Sequence, residues 1–263
     1  MKKKIFFHIG LHKNATTFLY KKVFTKVKKF TFIPFKDKYL KSAYLIGYNK
    51  SLIIGKENIL GSAHDINYYK LKLIHKKNHN AIFIISLRKP SEYVFSLYVF
   101  LLQMGFIYQT LDGYLKEHFN TLEKKLNYTN ILFFFKKNNI QFKILFYENY
   151  KKKKFFKELN KILDTNIVPG HKENINISNY NIYLFIILRI INYIRIVLFN
   201  ITKIKYFNPN LYIDGPNNYI INILKKKFKS QNLNIFNIMK NKHLKKKIKK
   251  LDTKYKYLYL AYK

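Results

Sequence analysis

The sequence contains no cysteine and no tryptophan, and it has few acidic residues. Without cysteine, the chain can form neither a disulfide framework nor a metal site built from thiolates. Only 13 aspartates and glutamates stand against 51 lysines and arginines, which leaves a formal net charge of +38. Such a charge repels basic partners and favours anionic ones, namely nucleic acid, an anionic membrane face or a nucleotide cofactor.

The charge also has an explanation that involves no function. Lysine, asparagine, isoleucine, phenylalanine and tyrosine are abundant, all of them are encoded by A/T-rich codons, and only 5 residues are proline. We therefore attribute most of the lysines to drift in codon composition. Apolar residues make up 48% of the 263 residues, which is enough to bury the core of one large α/β domain.

Short apolar runs alternate with helical patterns over the first 150 residues, and this alternation predicts an α/β fold with a parallel sheet covered by helices on both faces. The predicted strands are Lys4–Ile9, Ser51–Ile54, Ala81–Leu87 and Phe142–Tyr147. The predicted helices are Thr16–Lys28, Tyr68–His75, Ser91–Met104, Leu111–Phe119 and Tyr128–Lys137. Since no linker separates the halves, we expect a single domain, 1–263, with a nucleotide-binding core over 1–150 and a basic, mainly helical extension over 151–263.

The longest apolar stretch, Ile182 to Phe199, is interrupted by Arg189, Asn192 and Arg195. A membrane-spanning helix needs about 20 largely uncharged residues, so we favour a core helix for this stretch. The alternative is a basic amphipathic helix that lies on a membrane surface. The amino terminus lacks a convincing cleavable signal, and we expect a cytoplasmic protein.

A glycine turn follows the first predicted strand, and its residues are those of an anion site. Gly10 ends the strand, Lys13 adds a mobile positive charge, and Thr16 and Thr17 add hydroxyl donors. Such a turn directs backbone N–H groups and the N-terminus of a helix to one point, and that point suits a phosphate or sulfate group. Nucleoside-triphosphate loops differ, because they carry a second glycine before Lys-Ser/Thr. The alternative is an ordinary strand-to-helix turn with a threonine N-cap.

A second anion motif follows the strand that ends at Leu87. Arg88 comes at its carboxyl end, where a guanidinium can bind a phosphate with two parallel hydrogen bonds. Ser96 lies eight residues further on, roughly on the same side of the next helix. The alternative is an arginine that only bridges surface helices.

These motifs resemble those of sulfotransferases that use 3′-phosphoadenosine-5′-phosphosulfate (PAPS). The spacing of Lys13, Thr16 and Thr17 is similar to the 5′-phosphosulfate loop of that family, although Ala15 replaces the glycine expected there. Arg88 with Ser96 resembles the 3′-phosphate motif. The Glu57-Asn58 pair after the second predicted strand resembles a pair in bacterial carbohydrate sulfotransferases.

The resemblance implies a three-layer, P-loop-like sulfotransferase fold and transfer of a sulfuryl group from PAPS to a hydroxyl of a carbohydrate or lipid-linked glycan. It implies that the 5′-phosphosulfate is held by Lys13, Asn14, Ala15, Thr16 and Thr17. The 3′-phosphate would be held by Arg88 and Ser96. Glu57 would be the catalytic base, with His64 as the alternative because histidine titrates near neutral pH. No metal ion is required by this chemistry.

Two other functions remain open at this point. A nucleotide-dependent kinase with a degenerate phosphate loop would need ATP and Mg²⁺. A non-enzymatic protein that binds nucleic acid or a membrane surface would use the net charge of +38 and the many aromatic residues. We expect no specific nucleic-acid partner, and we expect peripheral contact with an anionic membrane at its inner face.

Overall fold

The computed structural model describes residues 4–10, 16–34, 50–56, 66–149, 153–167, 182–203 and 234–262. Within these ranges the chain forms a sheet whose strands are β1 (Ile5–Gly10), β2 (Phe30–Pro34), β3 (Ser51–Lys56), β4 (Ile82–Leu87) and β5 (Phe142–Phe146). Their order is β2-β3-β1-β4-β5, and every neighbouring pair is parallel. The predicted parallel α/β sheet is therefore confirmed.

The helices follow the strands in the alternation that the sequence predicted. They are α1 (Thr16–Phe18), α2 (Tyr68–Lys77), α3 (Pro90–Gln103), α4 (Leu111–Leu126), α5 (Tyr128–Lys137), α6 (Lys153–Leu163), α7 (Ile182–Thr202), α8 (Ile235–Ile238) and α9 (Lys242–Ala261). After α1 the chain continues as a π-helical turn, Leu19–Val23, and a 3₁₀ turn, Phe24–Lys26. The predicted helix from Thr16 to Lys28 is therefore an irregular helical segment of three types.

Both faces of the sheet are covered, which makes three layers. On one face, five strand residues pack with the helical segment after Gly10 and with α6. The strand residues are Phe6, Phe30, Ile53, Ile84 and Leu145, and the helical residues are Leu19, Val23, Phe24, Phe155, Leu159 and Leu163. The three residues of α6 are four apart and so share one side of that helix. On the other face, the Phe83 ring contacts the rings of Phe7 and Phe135, each with a centroid distance of 5.5 Å.

The chain contacts divide the molecule into two compact units. One unit comprises Met1–Tyr93, Thr121–Ile175 and Leu251–Lys263, and it contains the sheet. The other comprises Val94–Asn120 and Asn176–Lys250. The single domain expected from the sequence, with its division near residue 150, stays a prediction.

Helix α7 in the second unit is buried on one side only. Leu184, Phe185, Leu188 and Asn192 are buried, whereas large apolar residues on the other side are exposed. By length and composition, Tyr183–Thr202 could also cross a membrane, and only 22% of its most apolar window is buried. The preferred prediction of a core helix is thus wrong for its outer side.

Candidate active site

The carboxyl ends of three neighbouring strands lie level with one another. In β1, Ile9 is opposite Lys56 of β3 and Gly10 is opposite Ser86 of β4. The three segments that carry the predicted site residues therefore leave the sheet from adjacent strand ends, which is where parallel sheets bind ligands. Five of those residues lie outside the described part of the chain: Lys13, Asn14, Ala15, Glu57 and His64.

Thr16 and Gly10 are in close contact, so residues 11–15 connect two points that almost touch. A Cβ atom on Gly10 would lie 2.4 Å from Thr16 Cγ2, and only glycine fits at that position. Thr16 begins α1 and its side chain is buried. Thr17 follows in the same helical turn. A strand end in contact with a helix start is an arrangement that directs backbone N–H groups to an anion.

A buried hydrogen-bond chain runs through His8, two residues before Gly10. His8 Nδ1 is 3.0 Å from the Tyr20 hydroxyl, and His8 Nε2 is 2.7 Å from Ser86 Oγ. His8 is fully buried, so it connects β1 to β4 and to the segment after α1. A Cβ on Gly55 would lie 2.7 Å from Tyr20 Cε1, so this glycine provides the space for the ring. These contacts give His8 a structural role.

Arg88 follows the last residue of β4, and its side chain is held in a defined plane. The guanidinium carbon lies 4.2 Å from the centroid of the Tyr147 ring, a cation–π contact. Arg88 Nε is 3.6 Å from Glu92 Oε2, one helical turn along α3. The Tyr128 hydroxyl donates to the Arg88 carbonyl oxygen at 2.7 Å. Only 14% of the arginine side chain is exposed.

The turn after Arg88 is fixed by two carboxylates. The Lys89 N–H donates to Glu148 Oε1 at 2.6 Å, and the Ser91 N–H donates to Asp252 Oδ1 at 2.8 Å. The Tyr255 hydroxyl donates to Glu148 Oε2. Burial raises the pKa of Glu148 even though these hydrogen bonds act in the opposite direction. Glu148 thus braces the turn that begins at Arg88.

Two contributors to this turn were not found from the sequence. Asp252 and Tyr255 belong to α9, whose lysine-rich sequence indicated only a cationic surface. Since they are far from Arg88 along the chain, neither spacing nor periodicity connects them to it. Ser96 lies in α3 with a half-buried side chain, and its role at the 3′-phosphate stays a prediction.

Comparisons with known proteins give one structural match and no sequence match. No family model matches the chain, and no curated protein matches it. The structure is similar to the crystal structure of a sulfotransferase from Alicyclobacillus acidocaldarius, with a TM-score of 0.50 and 13% sequence identity. The match covers 73% of this chain and 94% of the other.

The chain has a sulfotransferase-like fold. The match supports the predicted fold class, a five-stranded parallel sheet flanked by helices. In this sulfotransferase-like fold, the β1 and β4 ends carry the two motifs that the sequence assigned to the phosphates. At 13% identity the similarity concerns the fold alone, and donor, acceptor and residue roles are separate proposals.

Proposed function

We propose that the chain is a PAPS-dependent sulfotransferase that sulfates a hydroxyl of a carbohydrate or lipid-linked glycan in the cytoplasm. One observation carries the proposal. β1 and β4 are hydrogen-bonded neighbours with Gly10 opposite Ser86, so the Lys13 loop and the Arg88 turn start at adjacent strand ends. Neighbouring strands are about 4.8 Å apart, which is close enough for the two segments to reach one nucleotide.

The described residues fit an anionic donor with two phosphate ends. Gly10 is in contact with Thr16, where α1 starts, so the end of β1 and the start of that helix lie side by side. Stacking on Tyr147 presents the guanidinium of Arg88 as a fixed plane, and a planar fork suits bidentate binding of a phosphate. Both features are pre-formed, so binding costs little additional ordering.

In the proposed reaction, the backbone N–H groups of residues 14–17 and the Lys13 ammonium hold the 5′-phosphosulfate. Arg88 and Ser96 hold the 3′-phosphate. Glu57 accepts the proton of the acceptor hydroxyl while the hydroxyl oxygen forms a bond to sulfur. At the same time, the bond between sulfur and the bridging phosphate oxygen breaks. Lys13 stabilises the negative charge on that departing oxygen. The products are the sulfate ester and 3′-phosphoadenosine-5′-phosphate.

The cationic residues are tested by radiolabelled sulfate transfer from PAPS to a mixture of glycan acceptors. Lys13→Ala should lower kcat by roughly a hundredfold or more, since it removes charge stabilisation in the transition state. Arg88→Lys keeps the charge but loses the fork, so it should raise the KM for PAPS. Lys50→Ala is the matched control, because Lys50 is exposed at the opposite end of β3. Wild-type kinetics in both site variants would contradict the proposal.

The base is tested by separating binding from turnover. Glu57→Gln should keep the thermal stabilisation by 3′-phosphoadenosine-5′-phosphate and lose sulfate transfer, because the amide cannot accept the proton. If Glu57→Gln retains full turnover and His64→Asn does not, the base is His64. A kinase would instead be stabilised by ATP-Mg²⁺ and not by 3′-phosphoadenosine-5′-phosphate, so the same thermal measurement distinguishes the two activities.

A further inference from the structure

The outer side of α7 is a continuous apolar surface. Seven large apolar residues are exposed there, with exposed fractions from 37% to 74%. They are Tyr183, Ile186, Ile190, Tyr193, Ile194, Val197 and Ile201. At the helical repeat of about 100° per residue, all seven fall within an arc of roughly 100°, and we call this surface the α7 stripe. Tyr108, itself 37% exposed, extends it, because its ring lies 5.5 Å from that of Tyr193.

The inner side of the same helix is firmly attached to its own unit. Asn192 Nδ2 donates to the carbonyl oxygens of Leu102 and Ile107, both at 2.8 Å. Arg189 Nε donates to the Tyr108 carbonyl at 3.0 Å. A spanning helix would be surrounded by lipid, whereas protein covers this side of α7. The geometry is that of a helix that lies in the plane of a surface.

The chemistry of α7 matches the boundary between lipid headgroups and acyl chains. Isoleucine side chains suit the acyl region, and tyrosine rings are favoured at the interface because they carry an apolar body and a polar hydroxyl. The helix contains two arginines and no acidic residue, and the exposed Lys203 follows its last turn. Together with the net charge of +38, this favours anionic over neutral lipid.

We propose that the α7 stripe binds the surface of an anionic lipid bilayer, with the helix parallel to the membrane plane. The apolar side chains enter the headgroup region, and the net positive charge of the protein attracts the lipid phosphates. The proposal does not depend on sulfuryl transfer, so vesicle binding and the sulfate assay can fail separately. It would place the protein where a lipid-linked glycan is presented.

Insertion of the stripe can be measured directly because the chain has no tryptophan. The probe is Ile190→Trp, and the control is Phe133→Trp on α5, where the native side chain is 64% exposed. With vesicles of 30% phosphatidylglycerol in phosphatidylcholine, Trp emission from the Ile190 variant should shift to the blue. Brominated acyl chains should quench it. The Phe133 variant should show neither change, and equal behaviour of the two would overturn the proposal.

A second measurement separates apolar insertion from attraction by charge alone. The variant Ile186→Gln/Ile190→Gln/Ile194→Gln is compared with Phe133→Gln/Tyr257→Gln/Leu260→Gln. The control replaces three large apolar residues elsewhere that are somewhat more exposed than those of the stripe. Vesicle sedimentation is measured in 0.5 M NaCl, where surface electrostatics are largely screened. Only the first variant should bind more weakly, by roughly tenfold or more.

Three results would overturn the proposal. Equal binding of the two triple variants would mean that the stripe is not the contact. Complete loss of wild-type binding in 0.5 M NaCl would mean that charge alone attracts the protein. The third result is that the wild type sediments as a dimer, the stripe variant is monomeric, and the Ile190→Trp probe does not insert into vesicles. In that case a second copy of the chain covers the stripe.

Discussion

At Arg88, the orientation of the side chain comes from residues that β4 does not supply. The end of the apolar run at Leu87 was enough to predict that Arg88 lies at a strand end, and the structure has it there. The supporting ring of Tyr147 comes from the segment after β5, and the carboxylate of Glu148 holds the following amide. Such contacts depend on how strands are ordered in space, so spacing in the sequence could not predict them.

Glu148 should make the stability of the protein depend on pH. Because burial raises its pKa from the usual value of 4.5, the folded state holds the proton more tightly than the unfolded state. The stabilisation that protonated Glu148 gives the folded state is therefore present at acidic pH, and it is lost as the pH rises through the raised pKa. Between pH 5 and 7.5, we expect the free energy of unfolding of the wild type to fall relative to that of Glu148→Gln.

Urea unfolding at both pH values measures this difference. Each pKa unit of elevation corresponds to about 1.4 kcal/mol. Glutamine keeps an acceptor for the Lys89 N–H and does not titrate, so other ionisable groups cancel in the comparison. A free energy of unfolding that changes equally with pH in both proteins would show that Glu148 titrates normally.

Among the elements, four strands were predicted and one was missed. β1, β3 and β4 are nearly continuous apolar runs, as strands buried on both faces should be, and β5 was found although the exposed Lys143 interrupts it. β2 was missed because it is short, ends in Pro34 and follows lysines. It pairs only with β3 at the edge of the sheet, where proline is tolerated. The irregular turns after α1 were missed because helical periodicity does not distinguish α, π and 3₁₀ turns.

The attachment of α7 should depend on one buried amide. Asn192→Ala leaves the carbonyl oxygens of Leu102 and Ile107 without this donor, and each such loss costs about 1 to 3 kcal/mol. We expect a total destabilisation of about 2 kcal/mol or more in urea unfolding. Asn200→Ala is the matched control on the same helix, because Asn200 is exposed and should change stability by less than about 0.5 kcal/mol. A similar decrease in the free energy of unfolding in both variants would contradict this role for Asn192.

For the whole molecule, the net charge sets how stability responds to salt. A chain with a formal charge of +38 repels itself, and it does so more strongly in the compact state than in the expanded one. The Debye length falls from about 30 Å at 0.01 M to about 8 Å at 0.15 M ionic strength, so salt should relieve this repulsion. The Tm should therefore rise between 0.01 M and 0.15 M NaCl.

A charge variant provides the comparison for this measurement. Replacing the exposed residues Lys242, Lys246 and Lys250 of α9 with glutamine should reduce the rise in Tm, because fewer like charges need to be screened. If the Tm of the wild type fell or stayed constant with added salt, self-repulsion would not be a significant cost to this fold.

The central position of β1 has a consequence for protein synthesis. β1 is made first, yet its two neighbours in the sheet end at Lys56 and Leu87. A nascent chain that has emerged only as far as β3 therefore leaves one edge of its central strand unpaired, with Phe6, Phe7 and Ile9 uncovered. Exposed strand edges and apolar surface promote aggregation, so chaperone dependence on the ribosome should end once β4 has emerged.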